Sequence, residues 1–432
     1  MALLLDLTPL RVSAPFRRLW WGLGISNLGT QLTVTAVGLQ VYDITASTLA
    51  VGVLGICALV PLVVLGLYGG ALVDAYDRRR VALLSSLGLW VTSIALAVQG
   101  WLQVDSVTLL YVLVGLQSAG FAVNNPARSA IIPRLVEPAL LPAANVLQTI
   151  AWNIALTAGP LLGAFLVAGV GYGEAYTLDA LLFTAALWAL WRLPSLPPVR
   201  TGAAEPPRRP VGTGGLASVI EGLRYLATRP NVRMTFVVDL IAMILAMPRV
   251  LFPAVGVLFL GGGAATTGIL SAAFAAGAVL AGLLSGGLVR IRWQARVIGV
   301  AIACFGLAVT GFGLVLVVVG DTSPPRMLVG ALVAASVFLA LAGASDAVSA
   351  VFRQTILQSA TPDAMRGRLQ GVFIVVVAGG PRLGDLVLGS GASWLGEDWA
   401  AVLGGLACTV LLVVVLAVQR KFLAYDARHP LR

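Results

Sequence analysis

Histidine is nearly absent from the chain: the single one, His429, sits in the tail, so a histidine-based metal or catalytic site is excluded. Cysteine is scarce as well. Cys57, Cys304 and Cys408 lie inside apolar stretches with neither a disulfide framework nor metal-ligand spacing, and are expected to be buried free thiols. Charge is the third shortage, at 11% of residues, where soluble domains carry about a quarter. No Gly-x-x-x-x-Gly-Lys loop, metal-ligand cluster or serine–histidine pairing occurs. Neither ATP hydrolysis nor another enzyme activity is therefore expected, and no cofactor. The start of the chain has an apolar patch too short for a signal peptide and no small-residue cleavage site, so no cleaved leader is expected.

What the chain has in excess is apolar surface, with 59% hydrophobic residues, more than a water-facing domain could hide. Segments of about 20 apolar residues suffice to cross the hydrocarbon core. Twelve can be marked, at 17–42, 48–73, 80–102, 106–126, 143–169, 174–193, 232–259, 266–289, 295–319, 326–350, 365–392 and 397–420. Each must be helical, because an open strand in lipid leaves backbone groups unpaired. The expected class is an all-α polytopic membrane protein with twelve transmembrane helices.

The net charge of +10 does not point to nucleic acid, because the arginines sit in short loops rather than on one amphipathic face. With both termini in the cytoplasm, nearly all of the 28 basic residues fall inside. They comprise Arg11, Arg17 and Arg18, then Arg78 to Arg80, Arg128 and Arg134, and the group from Arg192 to Arg233. Arg290, Arg292 and Arg296 follow, then Arg353, Arg366 and Arg368, and a basic tail. Arg326 lies outside, and Arg249 and Arg382 fall within spans. Arginine greatly outnumbers lysine and alanine is abundant, which fits a GC-rich bacterial genome and a bacterial cytoplasmic membrane location.

Between spans six and seven the composition changes. "RLPSLPPVRTGAAEPPRRPVGTGG" (192–215) reads as a cytoplasmic linker. Leu216, Val219, Ile220, Leu223 and Leu226 then recur at helical spacing, which predicts an amphipathic helix at about 216–229 on the inner membrane surface. The expected organisation is a six-helix bundle at 1–193, the linker at 194–231, a second bundle at 232–420 and a tail at 421–432. The halves are similar: "GALVDAYDRRRV" (70–81) aligns with "GGLVRIRWQARV" (286–297), "ARSAIIP" (127–133) loosely with "FRQTILQ" (352–358), and "GPLLG" (159–163) with "GPRLG" (380–384). Three matches in order indicate a duplicated six-helix unit, hence two pseudo-symmetric bundles.

Twelve spans, a central linker, two similar halves and a charged loop after span two resemble the major facilitator superfamily over nearly the whole chain. Its loop signature, Gly-x-Leu-x-Asp-basic-x-Gly-Arg-Arg, maps onto Gly70, Leu72, Asp74, Arg78 and Arg79, with Ala75 and Asp77 departing from it. The antiporter-type signature of span five maps onto Gly159, Pro160 and Gly163, with Ala155 and Ala164 in place of glycines. "NNPARSAIIPRLVEPALLPAANVLQTIAWNIALTAGP" and "TPDAMRGRLQGVF" look like the exporter branch that includes the enterobactin exporter and macrolide efflux proteins. The resemblance implies export of a bulky organic molecule by alternating access, driven by proton entry. It further implies that Gly70, Asp74, Arg78 and Arg79 form a cytoplasmic gate, with Asp74 docking on the start of span eleven near Thr361 and Pro362; the alternative is that the arginines only set topology.

Ionisable residues inside spans are costly and usually functional. Asp239 in span seven has no cation among its helical neighbours and is the preferred proton-coupling residue; the alternative is a carboxylate paired across helices. Asp385 follows Arg382 by three residues and reads as a structural or gating ion pair; a proton-coupling site, for which Asp346 is a further candidate, is the alternative. Arg249, between Pro248 and Pro253, either pairs with Asp385 or meets an anionic substrate. Asp346 lies near the inner end of span ten, where water reaches it. Asn27, Gln31, Asn124, Asn125, Trp152 and Asn153 mark a substrate cavity or hydrogen bonds between helices. Trp20, Trp21, Trp101 and Trp399 read as interfacial anchors. The expected partners are a hydrophobic or amphiphilic small molecule such as a drug or siderophore, protons and the bilayer, with the protein a monomer. A lipid or lysolipid flippase of the same fold is the alternative.

Overall fold

Apolar runs this long can cross a bilayer only if their backbone hydrogen bonds close internally. In the computed structural model, which describes residues 6–195, 213–284, 291–359 and 363–427, all regular structure among the described residues is helical. The N-terminal half holds α1 (Thr8–Val12), α2 (Ala14–Thr45), α3 (Thr48–Ala75), α4 (Arg78–Trp101), α5 (Val107–Ile131), α6 (Leu141–Gly169) and α7 (Tyr172–Trp191). After α8 (Thr213–Thr228) come α9 (Pro230–Ala246), α10 (Phe252–Leu258), α11 (Gly263–Leu284), α12 (Gln294–Val319) and α13 (Val329–Ser359). The chain closes with α14 (Asp363–Leu395), α15 (Glu397–Val418) and the short α16 (Arg420–Leu423).

Among the described residues, nine stretches are helical, long and apolar enough to span a membrane. The other three predicted spans coincide with α2, α7 and α14, which are 32, 20 and 33 residues long. Polar residues dilute the apolar character of these helices, among them Asn27 and Gln31 in α2 and Glu174 and Asp179 in α7. Exposed apolar stripes run along the helices, as at Val300, Leu307 and Leu314 of α12. Two-turn spacing puts them on one face, which suits lipid. The same reasoning corrects the expectation for Cys304, which is exposed, whereas Cys408 is buried. An apolar span residue can be hidden from water by lipid instead of protein.

The chain divides into two compact units, residues 1–37 with 57–217 and residues 38–56 with 218–432. The core of the first is built from Phe16, Leu19, Ala127, Ile131, Leu147 and Leu190. That of the second includes Phe236, Phe305, Phe352 and Leu412. Each unit uses its copy of the repeated Gly-Pro motif in the same way. In the first, a methyl group at Gly159 would strike the Gln31 side chain and the Leu28 carbonyl, and one at Gly163 would strike the Leu32 carbonyl. In the second, methyl groups at Gly380 and Gly384 would meet Met243. Span five thus lies backbone-to-backbone on span one, and span eleven on span seven, the close approach that small residues permit between membrane helices. Ala155 and Ala164, which replace motif glycines, are fully buried.

Because the obstacle at Gly163 is a carbonyl oxygen 2.6 Å away, no rotamer change relieves it. Gly163→Val should cost about 1–3 kcal/mol by overpacking. Gly66→Ala, where nothing lies within 4 Å, should be neutral or stabilising by up to about 1 kcal/mol. Thermal unfolding of the detergent-solubilised protein measures both.

Candidate functional site

Span seven is discontinuous. Residue Met247 precedes Pro248, and proline disfavours the helical region for the residue before it. Met247 accordingly turns to an extended conformation, φ −80° and ψ 100°, and ends α9. A 3-10 turn, Pro248–Leu251, follows before α10 resumes. The break carries Arg249 with its side chain exposed, while Pro248, Val250 and Leu251 are buried. Non-helical backbone at membrane depth is tolerated where protein or a water-filled space surrounds it, and broken helices commonly build transport sites.

Around this break the second unit assembles three aspartates and three arginines. Asp346 and Arg353 lie two turns apart on α13. The Arg353 guanidinium donates to Asp239 of α9 through Nη1 and to Asp346 through Nη2, the latter at 3.4 Å. Asp239 and Arg353 are buried, and Asp346 is half-buried. Arg353 is a buried part of α13, and Asp239 pairs across helices, the alternative given for it above. Its partner comes from a helix more than a hundred residues away, which local spacing cannot reveal. Arg382 and Asp385 lie one turn apart on α14, fixed by neighbours on both sides. Gly380 and Gly384 rest on α9, while Gly52 and Gly55 of α3 abut the Asp385 and Arg382 carbonyls. The charges of Arg249 and Arg382 act on Asp385, and that of Arg249 also acts on Asp346. Among the described residues no contact ion pair joins Arg249 to Asp385 or Arg382 to Asp385; the interaction is through space.

The first unit treats its polar residues differently. Asn124 is buried, and its amide nitrogen lies 2.7–3.1 Å from the Ser86 and Ser85 hydroxyls and the Ala82 carbonyl, tying α5 to α4. Arg128, which aligns with Arg353 in the internal repeat, donates to Ser86 at 3.1 Å and lies over the Phe183 ring of α7. Among the described residues no carboxylate answers it, so the two halves differ at this position. Asn27, Gln31 and Trp152 are half-buried, and Asn125 and Asn153 are exposed. Gln31 packs its stem on Gly159. Of the tryptophans read as anchors, Trp20 is half-buried and its indole donates to the Leu147 carbonyl at 2.9 Å, whereas Trp101 is exposed and its indole donates to the Thr177 hydroxyl.

Of the gate residues, Gly70 and Asp74, with the proposed docking partners Thr361 and Pro362, lie outside the residues whose surroundings are described. Arg78 donates to the Ala130 carbonyl of α5, and Arg79 to the Leu190 and Trp191 carbonyls of α7. Both cations therefore close the C-terminal ends of helices in their own unit, where the helix dipole favours positive charge. Asp77, which departs from the loop signature, caps α4 by accepting from the Arg80 backbone and receives the Ser195 hydroxyl. In the second unit, Arg292 pairs with Asp426 at 2.7 Å and Arg296 donates to the Leu423 carbonyl, holding the tail. Asp179 of α7, inside the sixth predicted span but absent from the candidates above, is almost fully buried. The signal that finds it is simply an ionisable residue within an apolar run.

Comparison with known proteins is consistent along the whole chain. The family of transmembrane secretion effectors matches residues 5–430. The enterobactin exporter EntS of Escherichia coli is 30% identical over 425 residues, 97% of this chain and 96% of that protein. EntS of Citrobacter koseri is 29% identical over 427 residues, with the same coverage. Among solved structures, the nucleoside transporter NupG superposes with a TM-score of 0.69 at 13% identity, covering 94% of this chain and 98% of that one. A POT peptide transporter in complex with sulfate gives 0.70 at 15% identity, covering 96% of each chain. At these identities the structural likeness establishes the fold alone.

Removing Arg353 strands a buried carboxylate, so Arg353→Ala should destabilise by about 3–5 kcal/mol. Asp239→Asn combined with Arg353→Gln removes both charges and should recover much of that loss. Equilibrium unfolding in mixed micelles, run as a double-mutant cycle, reads the coupling.

Proposed function

The chain belongs to the transmembrane secretion effector family of the major facilitator superfamily and is a multi-pass membrane protein, a transporter and not an enzyme; from that premise we propose that it exports a hydrophobic or amphiphilic small molecule of the enterobactin class by proton-coupled antiport. The observation that carries the reading is the match to an enterobactin exporter over 97% of the chain. The site is supported by the charged cluster at the break in span seven.

The chemistry follows from the cluster. Arg353 is shared between Asp239 and Asp346. A proton added to Asp239 removes the Coulombic attraction holding the guanidinium there and leaves Asp346 as the remaining anion. In a low-dielectric interior such a change biases helix packing between two discrete arrangements. Arg249, exposed on the broken span and within electrostatic reach of Asp346 and Asp385, is the group that meets a negatively polarised part of the substrate. Asp385 and Arg382, clamped between the glycines of α3 and α9's backbone, form the wall of the site. Substrate binding at Arg249 and proton binding at the aspartates then draw on the same electrostatic field, so each alters the affinity for the other.

Cells carrying the protein should export added enterobactin faster than cells without it, and a protonophore should abolish the difference. Asp239→Asn should lower gradient-driven export by about tenfold or more, the effect of losing ~1.4 kcal/mol of coupling free energy. Arg249→Ala should raise the substrate concentration needed for half-maximal export. Export unaffected by the protonophore would refute proton coupling, and an unchanged rate for Asp239→Asn would remove that residue from it.

A further inference from the structure

The first unit holds an acidic group that the charged cluster of the second does not explain. Asp179 lies seven residues into α7, about 10 Å along the helix axis, with 1% of its surface exposed. One carboxyl oxygen, Oδ2, accepts a hydrogen bond from the Ser93 hydroxyl of α4 at 2.8 Å. Among the described residues the other, Oδ1, has no hydrogen-bond partner. It abuts Gly29 of α2, where a methyl group would collide with it. Thr33, one turn on, approaches the same carboxyl, yet its own hydroxyl completes no hydrogen bond.

The charged and titratable groups on the surrounding elements do not compensate it. On α2 within this unit they are Arg17 and Arg18 at the opposite end of the helix. On α4 they are Arg78, Arg79 and Arg80 in its first turn, engaged with helix ends or exposed. On α5, Arg128 is held by Ser86 and the Phe183 ring, and Tyr111 lies near the start of the helix. On α6 there is no ionisable residue. On α7 itself, Glu174 sits in the first turn and Tyr176 is fully buried one turn from Asp179. Among the described residues, the polar groups at the carboxyl are the neutral hydroxyls of Ser93 and Thr33.

An ionised carboxylate so placed would have one hydroxyl in place of its hydration shell, and such a group neutralises itself by binding a proton. We propose that Asp179 is a proton-binding site of the N-terminal unit, occupied while α2 and α7 are packed together at Gly29. The proton sits on Oδ1 or Oδ2 and completes a neutral acid, with Ser93 as hydrogen-bond partner. Losing it to water requires α2 and α7 to part, because Gly29 leaves no room for a water on that side. Gly22, two turns earlier on α2, also approaches α7 closely, at Ala185 and Ala189, so the close α2–α7 contact extends beyond Gly29. The inference rests on the proton-coupled reading for its role in transport, but not for the protonation itself.

Infrared difference spectroscopy on the full-length protein in lipid nanodiscs, titrated with pH in H2O and D2O, tests it directly. The expected result is a protonated-carboxyl carbonyl band at neutral pH that shifts in D2O and is lost in Asp179→Asn. Ser93→Ala, which leaves the acid in place, should shift the same band by removing its hydrogen-bond donor, and identifies it even if Asp179→Asn fails to fold. No band dependent on residue 179 or 93 at neutral pH would overturn the proposal. If the protein proves not to export enterobactin yet keeps the band, the transport reading falls and this inference stands. If it exports enterobactin with no such band, this inference falls and the transport reading stands.

Discussion

Charge inside an apolar bundle is the constraint on which the structure turns. Arg353 is buried because two carboxylates, Asp239 and Asp346, take up its guanidinium, and Asp239 can be buried only because Arg353 reaches it. Neither partner is tolerable alone, since an uncompensated ion in such an interior carries a penalty of several kcal/mol. This mutual dependence fixes the register of α9 on α13.

Backbone contact does the complementary work. The repeated Gly-Pro motif brings span five close onto span one and span eleven close onto span seven, with backbone approach at Gly163 and Gly384. The second unit thus combines close helix packing at Gly380 and Gly384 with an ion triad at Arg353. The first unit keeps the close packing, at Gly159 and Gly163, but replaces the ion triad. Arg128 stands where Arg353 would be and rests on a serine and an aromatic ring. The acidic group in that unit, Asp179, is on another helix and faces hydroxyls. Duplication has preserved packing and diverged in charge, as expected if the two halves bias the same movement by different chemistry.

Much of this was legible from the residues. Apolar run lengths located the helices, and Pro248 explains the break at Met247. The Gly-Pro repeat pointed to a duplicated unit, though not to which helix it would meet. The pairing of Asp239 with Arg353 was not legible, because partners 114 residues apart are chosen by helix rotation and tilt, and local spacing carries no information on either. The helical, buried setting of Arg353 was not legible for a related reason: a count of basic residues near span ends cannot distinguish a loop arginine from one held in a helix by a buried acid. Asp179 needed only the rule that an ionisable residue within an apolar run demands an explanation. Arg78 and Arg79, read as gate or topology signals, close the ends of α5 and α7 as well, and that use depends on tertiary geometry.

The central claim is that protons bound by aspartates within the helical bundles are exchanged for substrate. The measurement that bears on it most directly is proton movement in reconstituted liposomes holding a pH-sensitive dye, with enterobactin added to one side and no imposed gradient. The account predicts proton flux opposite to substrate flux, lost in Asp239→Asn while passive substrate exchange persists. Substrate transport with no accompanying proton movement in the unmodified protein would contradict it.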